Sequence, residues 1–264
     1  MKAQLKKDYR NPKLYRWILI YAVYALLCVI GGKQGVRGSL GLVFTFISVI
    51  FLYIPLIYQG YSPFWTAVFV CFVTTLVTMY LIGGTAGKTI CAIGGTIAGI
   101  LCAGVTALIF SKASGISGYN VSDIETLLTL WNTDGIQVGG LLFSGLLISA
   151  LGATMDVAMS VSSAMEEIAK QNPNLGMREL WLSGMRVGRD MMGTDSNTLI
   201  LAFAGTSTST LLLDYAYDLP YQQIINSNNI GIAIMQGLSG SFGIVLSVPL
   251  TVTLCAFVMK RGIA

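Results

Sequence analysis

Asp156 is the one acid that the sequence places deep inside an apolar stretch. The segment 136–165 and the residues just after it carry Gly145, Ser149, Gly152, Asp156, Ser160, Ser163 and Glu167 at intervals of 4, 3, 4, 4, 3 and 4. At 3.6 residues per turn these positions share one helix face, and the other faces are almost wholly apolar. Asp156 lies about six residues from the middle of the segment, roughly 9 Å along a helix. The hydrocarbon half-thickness of a bilayer is about 15 Å, so the carboxyl falls inside it. Keeping an Asp there costs about 2.5–3.5 kcal/mol on the insertion scale. Such an acid marks a proton or ion path by default, and a structural hydrogen bond between helices is the alternative.

The next two segments repeat the pattern. Asp190, Thr194, Asn197, Leu201, Gly205 and Thr208 follow at intervals of 4, 3, 4, 4 and 3, and Gln236, Gly240, Gly243, Ser247 and Thr251 at 4, 3, 4 and 4. Three consecutive striped helices are expected to face one another around a shared polar seam. Ser160, Thr194 and Asn197 are then the polar partners of Asp156 in proton or ion coupling. Arg186 and Arg189 can pair with Asp190, Asp195 or Glu167 and neutralise acids at a cytoplasmic mouth. The plainer reading of that charged stretch is the solvated face of an interfacial helix. Gly95 and Gly99 form a small-xxx-small contact, and with Gly145, Gly152, Gly240 and Gly243 they are candidates for helix packing. Asp214 and Asp218 mark the water boundary of their segment.

Other chemistry finds little support. The chain has no His, which removes the usual general base and the commonest metal ligand. Its cysteines, Cys28, Cys71, Cys91, Cys102 and Cys255, stand singly in apolar runs, without the paired spacing that disulfide frameworks or zinc sites need. They read as small buried hydrophobes. The run 83–89, Gly-Gly-Thr-Ala-Gly-Lys-Thr, imitates a phosphate loop, but the pattern needs glycine where Ile82 stands. No nucleophile–base pair or metal cluster is visible, so neither an enzyme, a metal site nor a cofactor is expected.

The elements that must hold these residues follow from composition. Of 264 residues, 54% are hydrophobic and 11% charged, against about 25% charged in ordinary soluble domains. So few charges cannot solvate a globular surface, which excludes a soluble enzyme, a nucleic-acid module and a disordered regulator. Apolar spans of about 20 residues are expected at 39–58, 64–82, 89–110, 136–165, 196–217 and 231–258, and a shorter one at 15–31. The domain reading is a basic arm with a short hydrophobic segment over 1–38, then a transmembrane helical domain over 39–264. No small-x-small cleavage site follows 15–31, so it reads as a retained segment.

Charge placement orients the bundle. With 31–38 inside, Lys33, Arg37, Lys88, Lys170, Arg178, Arg186, Arg189, Lys260 and Arg261 all fall on the cytoplasmic side, against Lys112 outside. If 15–31 crosses, the basic arm lies outside. If it lies along the interface, the arm stays inside with the other cations. The external connection 111–135 is too polar to span, and its residues 123–131 suggest a short amphipathic helix at the interface.

A resemblance attaches to three runs: Ala-Leu-Gly-Ala-Thr-Met-Asp-Val-Ala-Met-Ser over 150–160, Gly-Arg-Asp-Met-Met-Gly-Thr over 188–194 and Asn-Thr-Leu-Ile-Leu-Ala over 197–202. They resemble the YibE/F family of bacterial multi-span membrane proteins, over most of the chain from about residue 31. The family's larger type carries an additional extracytoplasmic domain, and this chain resembles the shorter, YibF-like type. The resemblance implies a partner of the larger type. A remoter likeness joins Gly152 and Asp156 to half of a SecD/SecF or resistance-nodulation-division pump, in which an intramembrane acid couples proton flow to work outside.

The sequence thus leads to an all-α polytopic transmembrane bundle of six to seven spans, multi-pass in the bacterial plasma membrane with a cytoplasmic C-terminus. It is expected to be a permease or ion-coupled transport subunit. The alternative is a non-transporting assembly subunit. Its expected surroundings are lipid and a YibE-like partner or further copies of itself, without nucleic acid.

Overall fold

The computed structural model describes residues 14–119 and 138–260, and every regular element among them is helical. The basic arm before Leu14, residues 120–137 with the expected interfacial helix, and Arg261 lie outside the described residues. Helix α1 is Leu14–Ser48, followed by a π-helical turn Val49–Tyr53 and the short α2, Ile54–Tyr58. Then come α3, Pro63–Gly83, α4, Gly87–Ser114, and α5, Leu141–Gln171. The chain ends with α6, Met177–Thr206, α7, Thr208–Ala216, α8, Tyr221–Ile225, and α9, Asn228–Lys260. Five stretches are long and apolar enough to cross a membrane: Tyr21–Tyr58, Pro63–Gly83, Gly87–Ser114, Val138–Gln171 and Asn228–Lys260. The pair α6 and α7, bent by 47°, makes a sixth if it counts as one span. The protein is an all-α membrane bundle.

Two boundaries fall elsewhere than expected. The segments 15–31 and 39–58 are joined by helix rather than by a loop, because Lys33, Gln34 and Arg37 are good helix formers despite their polarity. The interruption is confined to Gly32, whose φ of 53° and ψ of −135° suit only glycine. The charged stretch before Ser196 is likewise not a separate interfacial helix, since α6 runs unbroken through it to Thr206. Glu179 starts that helix by accepting the Gly176 backbone N–H at 3.0 Å. The break comes later, where Thr206, Ser207 and Thr208 donate to the carbonyls of Phe203, Phe203 and Ala204 and loosen the backbone ladder.

The centre of the bundle is α4 against α9. The position a Gly95 Cβ would take is occupied by the Thr251 side chain, and Gly99 sits against Ser247 and Gly243. Small residues let the two backbones approach, which is what drives helix association where lipid gives no hydrophobic force. Buried hydroxyls in these helices satisfy themselves on the preceding turn: Thr251 donates to the Ser247 carbonyl at 2.8 Å and Thr154 to Ala150 at 2.8 Å. Pro249 interrupts the α9 ladder, and Thr253, one turn on, donates to its carbonyl at 2.6 Å while accepting from Trp181 Nε1 of α6 at 3.1 Å. α5 packs on α3, α4 and α9, α6 on α5 and α9, and α1 on α3. Three cysteines, Cys71, Cys91 and Cys255, are buried as expected, while Cys28 and Cys102 are half-buried.

Candidate functional site

α5 and α6 run antiparallel, and their register is fixed by close packing. A Cβ on Gly184 would stand 2.6 Å from the Met165 sulfur, so Met165 of α5 seats on that glycine of α6. Further along α6, on nearly the same face, Gly188 receives Val248 of α9 and Leu199 packs over Gly240. Ser241 Oγ of α9 donates to the Ser196 carbonyl at 3.4 Å. These contacts slide α6 until Asp195 lies within electrostatic reach of Asp156. The sequence places Asp195 at the cytoplasmic mouth with Arg189. It stands six residues beyond Arg189 on α6, roughly 9 Å further along the helix axis.

The three polar stripes do not converge. On α5, Gly145, Ser149, Gly152, Asp156 and Glu167 are exposed on the outside of the bundle, and Ser160 and Ser163 are half-buried. On α6, Asp190, Thr194, Asn197, Leu201 and Gly205 are exposed as well. The α9 stripe behaves differently: Gly240, Gly243, Ser247 and Thr251 are buried, the last three against α4, and only Gln236 is half-exposed. The shared seam expected among three helices is therefore an outward-facing strip made by two. Helical spacing identifies residues on one face, while the neighbour that the face meets depends on the packing of the whole bundle. Gly95, Gly99, Gly240 and Gly243 lie in helix contacts, whereas Gly145 and Gly152 have nothing within 4 Å of a Cβ position.

Towards the end where Lys88, Lys170 and Lys260 gather, the ion pairs also differ from expectation. Among the described residues Arg186, Arg189, Asp190, Asp195 and Glu167 form no salt bridge. Glu166 is the paired acid, with Oε2 2.8 Å from Lys88 Nζ and Oε1 3.1 Å from Lys170 Nζ. Glu167 instead accepts from Gln171 Nε2 at 2.9 Å. Glu166 was visible in the sequence only as the i−4 neighbour of Lys170, and its link to Lys88 of α4 depends on the fold. Ser196 was missed for a similar reason. Its hydroxyl is buried without a partner, one residue past Asp195, beside the carbonyl that accepts from Ser241 of α9. Among the described residues no group of three or more His, Cys, Asp or Glu is placed to hold a metal ion.

A family model described as YibE/F-like protein matches residues 19–261, from within α1 to beyond the end of α9. The chain belongs to the YibE/F-like family. In this YibE/F-like chain the runs 150–160, 188–194 and 197–202, which carry the resemblance, lie on the lengths of α5 and α6 that bear the outward polar strip. Comparison with curated proteins gives no match, and comparison with solved structures gives none.

Proposed function

We propose that this YibE/F-like protein is an ion-coupled permease or transport subunit of the bacterial plasma membrane, without enzymatic activity, whose coupling acid is Asp156. What supports the reading is the electrostatic influence of Asp195 on Asp156 across the packed helices α5 and α6, with neither acid in a salt bridge among the described residues. Their repulsion is relieved when a cation sits between them or one of them takes up a proton. Binding and release of that cation is the elementary step of a coupled transporter. Ser160, Thr194 and Asn197 supply oxygens and an amide along the same strip. In this reading the end holding Lys88, Lys170, Arg186 and Lys260 is cytoplasmic, together with the C-terminus, by the excess of Lys and Arg there.

The test is an infrared carboxyl titration of the reconstituted full chain, with Asp156→Asn as control. A carboxyl band that responds to pH and is absent from the variant is expected. A titration identical in both proteins removes Asp156 from the mechanism.

One observation favours a second reading, that of a non-transporting assembly subunit bound to a larger YibE-like protein. The strip faces outward, where it can act as a contact surface. Asp156→Asn separates the two: loss of ion coupling with complexes intact supports transport, and loss of assembly supports the scaffold.

A further inference from the structure

We propose that the outward face of α5 and α6 is closed by the same face of a second copy of this chain. Outward faces of membrane helices meet lipid and are normally apolar, and those of α3, α4 and the stretch from Leu40 to the end of α2 conform, with Phe69, Ile109 and Phe51 exposed. The face of α5 and α6 also exposes Asp156 and Asn197, beside Ser149, Thr194 and Thr198, whose hydroxyls donate to carbonyls of their own helix. Acyl chains cannot solvate the carboxyl and the amide, so protein must cover them. Space for a helix is present, because nothing lies within 4 Å of a Cβ position at Gly145 or Gly152.

The charges identify the occupant. Arg186, Arg189, Asp190 and Glu167 are all exposed towards one end of this face, and none of them is in an ion pair among the described residues. A patch with two cations and two anions is complementary to itself, whereas a foreign partner requires no such balance. In a two-fold dimer whose axis follows the membrane normal, residues at equal depth meet, and each contact occurs twice. Arg189 and Asp190 differ in depth by about 1.5 Å, so Arg189 of each copy reaches Asp190 of the other. Deeper in the membrane the two Asp156–Asp195 pairs then line one enclosed seam. The purpose of that seam rests on the proposed function, while its closure does not.

Thr194→Cys tests the arrangement in the full chain reconstituted in proteoliposomes. Copper phenanthroline with oxygen removes two electrons and two protons from a pair of thiols to form the disulfide. The expected product is a band at twice the chain mass, absent from the unsubstituted protein and from the lipid-facing control Ile109→Cys. Asn197→Cys is the second site if the first does not fold. In the Thr194→Cys background, Arg189→Asp alone and Asp190→Arg alone should each lower the dimer fraction at least about fivefold, and the double reversal should restore it. Gly152→Leu, which has free space within its own chain, should lower it too.

Absence of the dimer band at both positions overturns the proposal, as does crosslinking indifferent to charge reversal. A crosslinked product of another mass in cell membranes, without the dimer, overturns it in favour of a foreign partner. Crosslinking kept by an Asp156→Asn protein whose carboxyl titration is unchanged leaves the dimer standing and removes the proposed coupling role.

Discussion

Gly99 of α4 and Gly243 of α9 face one another backbone to backbone. A Cβ on Gly99 would stand 2.9 Å from the Gly243 carbonyl oxygen, and a Cβ on Gly243 would stand 2.8 Å from that of Gly99. Neither obstacle is a flexible side chain, so neither can move aside cheaply. The two helices with the most extensive contact in the bundle are thus held at a separation that only glycine permits. Everything else on α9, including the Ser241 bond to α6, is placed relative to this contact.

Gly243→Ala is therefore expected to cost about 1–3 kcal/mol, the usual range for overpacking. Gly152→Ala, with open space at its Cβ position, should change stability by less than about 0.5 kcal/mol in the monomer, or raise it slightly through helix propensity. Both glycines occupy the same sort of place in a 4-3-4 stripe, so the contrast isolates packing from sequence pattern. Thermal unfolding in detergent, followed by helical circular dichroism, measures the difference. Equal effects would mean that α4 and α9 do not meet through Gly243.

The Glu166 cluster gives an ordered pair of outcomes. Lys88 and Glu166 have side chains 26% and 16% exposed, while Lys170 is 66% exposed. Solvent screens the second pair more than the first. Lys88→Ala should destabilise by up to about 1 kcal/mol at low salt, and Lys170→Ala by a few tenths. Added salt should shrink both differences. A larger effect at Lys170 would contradict the α4–α5 contact.

These contrasts show what the sequence made legible. The faces of α5, α6 and α9 could be read from spacing alone, because 3.6 residues per turn fixes which side chains are neighbours on a helix. Which face is covered could not, because Gly152 and Gly243 have the same local pattern and opposite surroundings. Asp195 joined Asp156 only through two crossings, Met165 on Gly184 and Val248 on Gly188, made by residues far apart in sequence. The amphipathic character of 177–195 was legible, but its fusion to the following span was not. Polar residues read as a loop in hydropathy even where, as with Arg186 and Arg189, they propagate a helix well.

Gly32 offers a direct test of the break in α1. Its φ of 53° and ψ of −135° lie where residues with a Cβ pay about 1–3 kcal/mol. Gly32→Ala removes the only residue type at ease there, and the helix is expected to straighten instead of paying that strain. Spin labels at Leu26→Cys and Leu40→Cys, both at exposed positions, report it through their separation. In a continuous helix the two backbones stand about 21 Å apart. The variant should approach that distance and the parent chain should fall short of it. Identical distances in the two would place the interruption elsewhere.

The acid pair supplies the most discriminating outcome. If Asp156 binds the coupling cation next to Asp195, removing either charge changes the same equilibrium, because the two groups sense one another. Asp195→Asn should therefore shift the titration of the Asp156 carboxyl band, although Asp195 itself is the residue replaced. Asp218→Asn, beyond α7 in the chain, should leave the band where it is. In a proton-uptake assay on proteoliposomes, Asp156→Asn should fall to the level of empty vesicles, and Asp195→Asn should retain uptake with a displaced pH dependence. Both variants should insert and unfold like the parent, since neither acid holds a salt bridge among the described residues. An Asp156 band that stays in place in Asp195→Asn would separate the two acids and assign them to different steps.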